Sequence, residues 1–430
     1  MGKKFYIKSM GCKSNQFEGS LIIENLCDNG FEQVSTLDEA EYFVLNSCSV
    51  THKSDNETLY LLRNAVHLHP NIKTVLTGCV AQIEKDSLLE LPYVHYVFGN
   101  DDKFRLGELL TKEKSFVSDI MNVEKFNYQV LNDTTKTRFS LKIQDGCNNR
   151  CAYCIIPFAR GKSRSAESDF IIEQINKASD NGFKEVVLTG IHIGQWGLDL
   201  NKSFVDLIKD LEEKTTIKRY RLGSLNPNEI TTELLNILEN SEKFCPHFHL
   251  SLQSACDKTL KSMNRFYTTE KYLEQIEDIN RRFKNPFLGA DIIAGFVGET
   301  EEDFNTTVEN LKKSGLSQIH TFPYSIRKGT QAEKMDGHLP DNIKQERAGI
   351  IKEISKEKYN AFLSKNLGTT AEVLIEKHPD KHSGKLKGKT KNYLNVTIDN
   401  LPASEGYFNT LQKVKLTNIE KNNFLGEIVE

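Results

Sequence analysis

Short apolar runs alternate with amphipathic stretches along most of the chain, and the pattern changes character twice. In the first 125 residues, Lys4-Phe-Tyr-Ile-Lys8, Tyr42-Phe-Val-Leu-Asn46, Lys73-Thr-Val-Leu-Thr77 and Tyr96-Val-Phe98 read as strands. Residues 16–29, ended by Gly30, and residues 54–67 carry helical spacing. Such alternation predicts a parallel sheet covered by helices. Residues 126–137, centred on Asn132-Asp-Thr-Thr-Lys136, are polar and read as a linker. Six more strands follow: Phe139-Ser-Leu-Lys-Ile143, Glu185-Val-Val-Leu-Thr189, Arg219-Tyr-Arg-Leu-Gly223, His247-Phe-His-Leu-Ser251, Pro286-Phe-Leu-Gly-Ala-Asp-Ile-Ile293 and Gln318-Ile-His-Thr-Phe322. Helical patterns such as 169–181, 229–240 and 301–314 separate them. Six βα units predict an open or partial (β/α) barrel with its site at the carboxyl ends of the strands. After a Lys- and Glu-rich helix over 343–367, four short strands begin at Ala371, Tyr393, Leu411 and Phe424 and predict a small barrel. The class is α/β, divided as 1–125, 126–367 and 368–430.

At 430 residues, 38% hydrophobic and 27% charged, the chain can bury several cores. Its amino terminus runs directly into a strand pattern with no signal-peptide apolar region. No apolar run approaches the roughly 18–20 residues needed to span a membrane, so a cytoplasmic protein is expected. The net charge of −3 argues against indiscriminate nucleic-acid binding, though not against a local basic patch. Nine cysteines, an odd number, do not form a secreted disulfide framework. Cys27, Cys245 and Cys256 are read as core or incidental residues.

The stretch Gln144-Asp-Gly-Cys-Asn-Asn-Arg-Cys-Ala-Tyr-Cys154 places Cys147, Cys151 and Cys154 in a C-x3-C-x2-C triplet just after the first barrel strand. A closed zinc site needs four ligands; a [4Fe–4S] cluster on three cysteines leaves one iron open to a small molecule. A zinc knuckle completed by a distant residue is the alternative. Three further cysteines occupy equivalent places in the first domain. Cys12, in Met10-Gly-Cys-Lys-Ser-Asn15, follows its first strand; Cys48, in Asn46-Ser-Cys-Ser-Val-Thr51, the second; Cys79, in Thr77-Gly-Cys-Val-Ala-Gln82, the third. In a parallel sheet all three loops emerge at the carboxyl edge, where open α/β folds bind ligands. A second three-cysteine cluster is expected there, with a cysteine nucleophile as the alternative.

Other loops fall on the barrel rim: Thr189-Gly-Ile-His-Ile-Gly194, Ser224-Leu-Asn-Pro227, Gln253-Ser254, Ala294-Gly-Phe-Val-Gly-Glu299 and Tyr324-Ser-Ile-Arg327. Together with the triplet they suggest a nucleotide-sized pocket. Arg160, Arg164 and Ser165 either meet anionic groups or form a solvated basic loop. In the last domain, Lys377, Lys381, Lys385, Lys387, Lys389 and Lys391 are accompanied by the single acid Asp380. They read as a phosphate-tracking face of an OB-like barrel or as a solvated lysine hairpin.

The C-x3-C-x-aromatic-C motif at the head of six βα units resembles the radical S-adenosylmethionine (SAM) superfamily. The resemblance implies that SAM chelates the open iron and is cleaved to a 5′-deoxyadenosyl radical, chemistry the cofactors carry and the protein positions. It places Tyr153 at the adenine and Thr189-Gly190 at the methionyl amine; Ser224 and Gln253 are further cofactor candidates. Gly11-Cys-Lys-Ser-Asn15, Asn46–Thr51, Thr77–Gln82 and Ile156-Pro-Phe-Ala-Arg-Gly161 together resemble the methylthiotransferases. That resemblance implies two [4Fe–4S] clusters, the one on Cys12, Cys48 and Cys79 carrying the inserted sulfur, with no catalytic side chain beyond the clusters. It also implies a C-terminal TRAM module for RNA. Ile143-Gln-Asp-Gly-Cys147, Leu188-Thr-Gly-Ile-His192 and Leu250-Ser-Leu-Gln-Ser254 most resemble the branch acting at C2 of N6-threonylcarbamoyladenosine-37 (t6A) in the tRNA anticodon loop, with flavodoxin or ferredoxin as electron donor. The alternatives are the branches acting on isopentenyladenosine or a ribosomal-protein aspartate, or a non-catalytic RNA-binding iron–sulfur protein. Val297, Ser251, Ile326 and Lys328 depart from the common pattern beside ligand loops, leaving local loop shape open.

Overall fold

The structure, a computed structural model, describes residues 3–49, 51–127 and 136–429, without the side chains of Lys13 and Glu405. Most of the polar linker expected around Asn132 lies outside the described residues, as does Val50. The N-terminal unit is a six-stranded parallel sheet in the order β2-β1-β3-β4-β5-β6. Its strands are β1 (Lys4–Ser9), β2 (Glu32–Gln33), β3 (Tyr42–Ser47), β4 (Lys73–Gly78), β5 (Tyr96–Phe98) and β6 (Ser115–Phe116). The two edge strands are two residues long, too short to leave a periodicity, which is why the sequence shows only four. All six residues of β3 are buried, as a central parallel strand requires. Tyr42 and Val44 pack on one face with Phe5, Val75 and Phe98; Phe43 and Leu45 pack on the other with Leu62, Leu76 and Val97. Helices α1 (Lys13–Asp28), α2 (His52–Leu68) and α3 (Cys79–Ile83) begin directly after β1, β3 and β4 at the carboxyl edge.

The middle unit has its six expected parallel strands, interrupted by a short antiparallel pair. They are β7 (Phe139–Lys142), β10 (Glu185–Thr189), β11 (Arg219–Leu222), β12 (His247–Gln253), β13 (Phe287–Ala294) and β14 (Gln318–Pro323), with β8 (Gln144–Asp145) pairing β9 (Arg164–Ser165). They divide into two triplets, β11-β10-β7 and β12-β13-β14, linked by isolated parallel bridges at Tyr220–Phe244 and Leu225–Leu250. The outcome is an open six-stranded barrel wrapped by helices over a large apolar core. The Asp341–Asn366 helix then runs along β14 to the last unit.

That unit is a closed barrel in the order β15-β16-β17-β19-β18, formed by β15 (Thr370–Ile375), β16 (Lys387–Thr390), β17 (Asn395–Ile398), β18 (Leu411–Glu420) and β19 (Asn423–Ile428). The fifth strand, β16, falls inside the lysine-rich stretch between the expected strands at Ala371 and Tyr393. Its Gly388 and Thr390 face the interior while Lys387 and Lys389 are half-buried, so charge masked an ordinary strand alternation. The small barrel docks on the amino ends of the middle strands. Arg219 Nη2 donates to Glu372 O at 2.8 Å, Arg221 Nη1 to Lys391 O at 2.9 Å, and Asn392 Nδ2 to Asn285 O at 2.9 Å. The opposite rim is left for the cysteines.

Candidate iron–sulfur and substrate site

Cys12 caps α1, Cys48 follows β3 and Cys79 opens α3, so one sheet edge carries all three. Asn15 gathers their loops. Its Nδ2 donates to Met10 O at 2.7 Å, Asn46 O at 3.1 Å and Ser47 O at 3.2 Å. Ser47 Oγ adds a bond to Thr77 O at 2.6 Å and accepts from Val80 N at 3.1 Å. Two glycines in the left-handed region permit the approach. A Cβ on Gly11 would stand 2.4 Å from Cys48 Sγ, and one on Gly78 2.4 Å from Ser47 O. Burial pushes the Cys79 thiol up, against the pull of Arg160 and Lys103.

Across from this edge, Cys147, Cys151 and Cys154 lie on the loop between β8 and the Ile156–Arg160 helix. Gln144 fixes the loop's root: Oε1 accepts from Ile191 N at 3.1 Å and His192 N at 2.8 Å, and Nε2 donates to Gly146 O at 2.8 Å. The loop lies on an apolar floor of Met263, Phe296, Val297 and Tyr324, so Val297 keeps the floor intact. Two cationic side chains meet the sulfurs. Arg265 Nη1 donates to Cys151 Sγ at 3.4 Å and its Nη2 to Ser251 O at 2.7 Å. His192 Nδ1 lies 3.4 Å from Cys147 Sγ, and its Nε2 meets Glu229. Burial disfavours the imidazolium, but the bonds to Cys147 and Glu229 outweigh it and raise its pKa to about 9. Burial also pushes Cys154 to about 12; such a thiol surrenders its proton when a metal binds. Among the described residues no group of three His, Cys, Asp or Glu side chains is arranged around a single ion. Each cysteine of a cuboidal cluster binds a different iron, and three sulfurs with positive donors behind them suit such a group.

Two cavities occupy the gap. One, of about 270 Å³, is lined by Tyr153, Cys154, Gln253, Asp291, Ile293 and Arg327, among others. The other, of about 960 Å³, reaches Gly11, Cys12, Cys48, His52 and Lys344. Thr51, Phe322, Pro323, Tyr324 and Ser325 line both, so a ligand beside Cys154 and one beside Cys12 share a wall. Of the cofactor residues expected from sequence, Tyr153 and Gln253 line the smaller cavity; Gln253 does so with a positive φ of 70°. Thr189, Gly190 and Ser224 stand elsewhere on the rim. Thr189 Oγ1 donates to Leu141 O at 3.3 Å, Gly190 O accepts from Ser14 Oγ at 3.3 Å, and Ser224 Oγ meets His249 Nδ1 at 2.8 Å. Asp291, Tyr324 and Arg327 also line the cavity, Tyr324 and Arg327 from the rim loop after β14; no motif in the sequence marks them individually.

Arg160 and Arg164 do not form a solvated loop; the anionic groups they meet are carboxylates of the chain itself. Both are buried and joined to Glu18 and Asp145, while Ser165 Oγ donates to Asp199 Oδ1 at 2.6 Å. Cys245 and Cys256 are buried and Cys27 is exposed. The six lysines divide. Lys377 Nζ lies 4.7 Å above the Phe183 ring, Lys389 Nζ 4.3 Å above the Tyr393 ring, and Lys391 Nζ donates to Glu242 O at 2.5 Å. Lys381 is exposed, Lys385 pairs with Asp399, and Lys387 lies 3.8 Å from both Glu376 and Asp380.

The fold and the triplet define a radical SAM enzyme: residues 141–311 match the radical SAM superfamily, which implies a [4Fe–4S] cluster and SAM. A radical SAM methyltransferase, TsrM of Kitasatospora setae, shares the fold with a TM-score of 0.56 at 12% identity over 75% of each chain. Residues 4–99 match uncharacterized protein family UPF0004. The chain is 37% identical over 379 residues to a threonylcarbamoyladenosine tRNA methylthiotransferase of Aquifex aeolicus, covering 86% of this chain and 92% of that one. It is 31% identical over 436 residues to a tRNA-2-methylthio-N(6)-dimethylallyladenosine synthase of Thermodesulfovibrio yellowstonii, covering 100% and 99%. The chain belongs to the radical SAM methylthiotransferase family. No helix of the described residues is long and apolar enough to cross a membrane.

Proposed function

We propose that this chain inserts a methylthio group at C2 of N6-threonylcarbamoyladenosine-37 in the tRNA anticodon loop. The observation that carries the reading is the pair of cavities with a common wall, one beside Cys154 and one beside Cys12 and Cys48. Names of relatives support the substrate: those in Aquifex aeolicus and Bacillus subtilis are threonylcarbamoyladenosine tRNA methylthiotransferases. Dimethylallyladenosine in tRNA is the second reading, favoured by relatives at 31% identity.

In this reading Cys147, Cys151 and Cys154 hold one [4Fe–4S] cluster and Cys12, Cys48 and Cys79 a second. When bound, the clusters and SAM supply reductive C–S cleavage, methyl transfer and the sulfur. The chain's own part is placement. Tyr153 and Gln253 bound the cavity beside Cys154, the apolar floor excludes water behind it, and Arg265 and His192 offset negative charge on the sulfurs. Residues 1–125, 126–367 and 368–430 act as second-cluster, radical SAM and RNA-binding units in the cytoplasm, with flavodoxin or ferredoxin as electron donor. Nucleoside mass spectrometry of tRNA from cells lacking the gene tests the reading. Loss of 2-methylthio-t6A supports it; loss of the dimethylallyl nucleoside instead selects the second reading.

A further inference from the structure

One buried arginine crosses from the barrel rim to the N-terminal sheet where the two cavities meet. Arg327 follows β14, and its Nη2 donates to Ser49 Oγ at 2.6 Å and lies 2.6 Å from Asp55 Oδ2. Ser49 adjoins Cys48. Asp55 sits in the first turn of α2, whose capping residue Thr51 borders both cavities. A parallel bond runs from His52 N to Ser325 Oγ at 2.9 Å. The segment Ser325–Arg327 is thus stitched to the stretch that carries Cys48. The backbone at Arg327 is itself anchored, since Arg327 O accepts from Thr330 Oγ1 at 2.7 Å. Arg327 Nε and Asp55 Oδ1 are buried without a hydrogen-bond partner among the described residues. A charge pair left partly unsatisfied in a buried place costs stability, and the arginine of this one stands on the wall of the smaller cavity.

We infer that Arg327 is a positioning residue: through Ser49 and Asp55 it sets the separation between the Cys48 loop and the cavity beside Cys154. The inference rests on the two-site reading given above. Both contacts come from the one nitrogen Nη2, held in the guanidinium plane, whereas an ammonium has no such plane; misplacement by about 1 Å can cost on the order of 10²-fold in a reaction that depends on alignment.

The test uses the full-length enzyme with both clusters reconstituted, and two variants. Asp55→Asn removes the charge from the partner without touching a cavity wall; Arg327→Lys keeps the charge and loses the planar guanidinium. The expected result for Asp55→Asn is 5′-deoxyadenosine formation within about twofold of wild type, with methylthiolated nucleoside per 5′-deoxyadenosine lowered on the order of tenfold or more. Arg327→Lys is expected to lower the same ratio. Amide hydrogen exchange of the segment 49–55, measured on the metal-free protein, is expected to speed up in both variants. Equal loss of 5′-deoxyadenosine and product, an unchanged ratio, or unchanged exchange at 49–55 each overturns the inference. Absence of any methylthiolated nucleoside from wild type counts against the proposed function instead, and the exchange measurement then still decides the tether.

Discussion

Glu18 of α1 and Arg160 of the middle unit form a two-pronged ion pair, at 2.8 and 3.0 Å, in which both side chains are buried. The pair is the centre of a larger cluster. Glu18 also meets Lys103 and, at 2.5 Å, Lys142; Lys142 and Arg160 share Asp145 at 2.8 and 3.1 Å. Glu18 follows Cys12 by six positions and Asp145 precedes Cys147 by two, so the cluster ties the roots of both cysteine sites. Glu18→Gln leaves three buried cations short of an anion. Breaking such a pair costs about 3–5 kcal/mol. Chemical denaturation is expected to show a loss of that order, whereas a loss below about 1 kcal/mol assigns the cluster no part in holding the units together.

The same cluster sets acid sensitivity. Burial alone would raise the Glu18 pKa, but Arg160, Lys103 and Lys142 outweigh it and hold it well below its ordinary value of 4.5. Lys142, Arg160 and Arg164 likewise overcome burial at Asp145. A carboxylate whose folded pKa is depressed stabilises the fold above its unfolded pKa and loses that contribution as pH falls towards the folded value. Stability attributable to Glu18 is therefore complete above about pH 4.5 and declines below it. Acid titration followed by tryptophan fluorescence, with Trp196 as the single reporter, is expected to show a shallower acid limb in Glu18→Gln than in wild type. Superimposable limbs exclude Glu18 from the transition.

The placement of both cysteine triads was legible because each cysteine loop follows a strand with a clear apolar run, and a parallel sheet maps sequence-distant loops onto one edge. What the sequence did not reveal are residues whose partners lie far along the chain. Glu18 is separated from Arg160 by 142 positions and Arg327 from Ser49 by 278. No local periodicity marks such pairs; Arg160 instead looked like part of a basic loop. Strand β16 was missed for a different reason, because lysines at its outward positions concealed Gly388 and Thr390 at the inward ones.

The two triads are expected to fail differently on substitution. Cys154 borders the smaller cavity, and Cys12 and Cys48 the larger. Cys151→Ala, which also removes the sulfur contacted by Arg265, should abolish 5′-deoxyadenosine formation. Cys48→Ala should leave that half-reaction measurable and stop methylthiolation. Equal loss of both activities in the two variants rejects separate roles.

Removing residues 368–430 is a poor test of RNA binding, because Arg219 and Arg221 are buried against that barrel. Truncation would strip both side chains of their bonds to the barrel, uncover the face they occupy, and leave the two guanidiniums sharing the one carboxylate of Glu185. Point changes separate the roles. Lys381 is exposed and Lys385 has only a surface pairing with Asp399 among its named contacts, so both can meet phosphate. Lys391 donates to Glu242 O across the docking contact and is expected to affect stability instead. The double variant Lys381→Gln/Lys385→Gln should weaken tRNA binding and reduce the slope of log K against log salt by about 0.7–0.9 per lost phosphate contact. Lys391→Gln should leave that slope unchanged while lowering the denaturation midpoint. If instead the double variant keeps the full slope, the phosphate-tracking face lies on another part of the molecule.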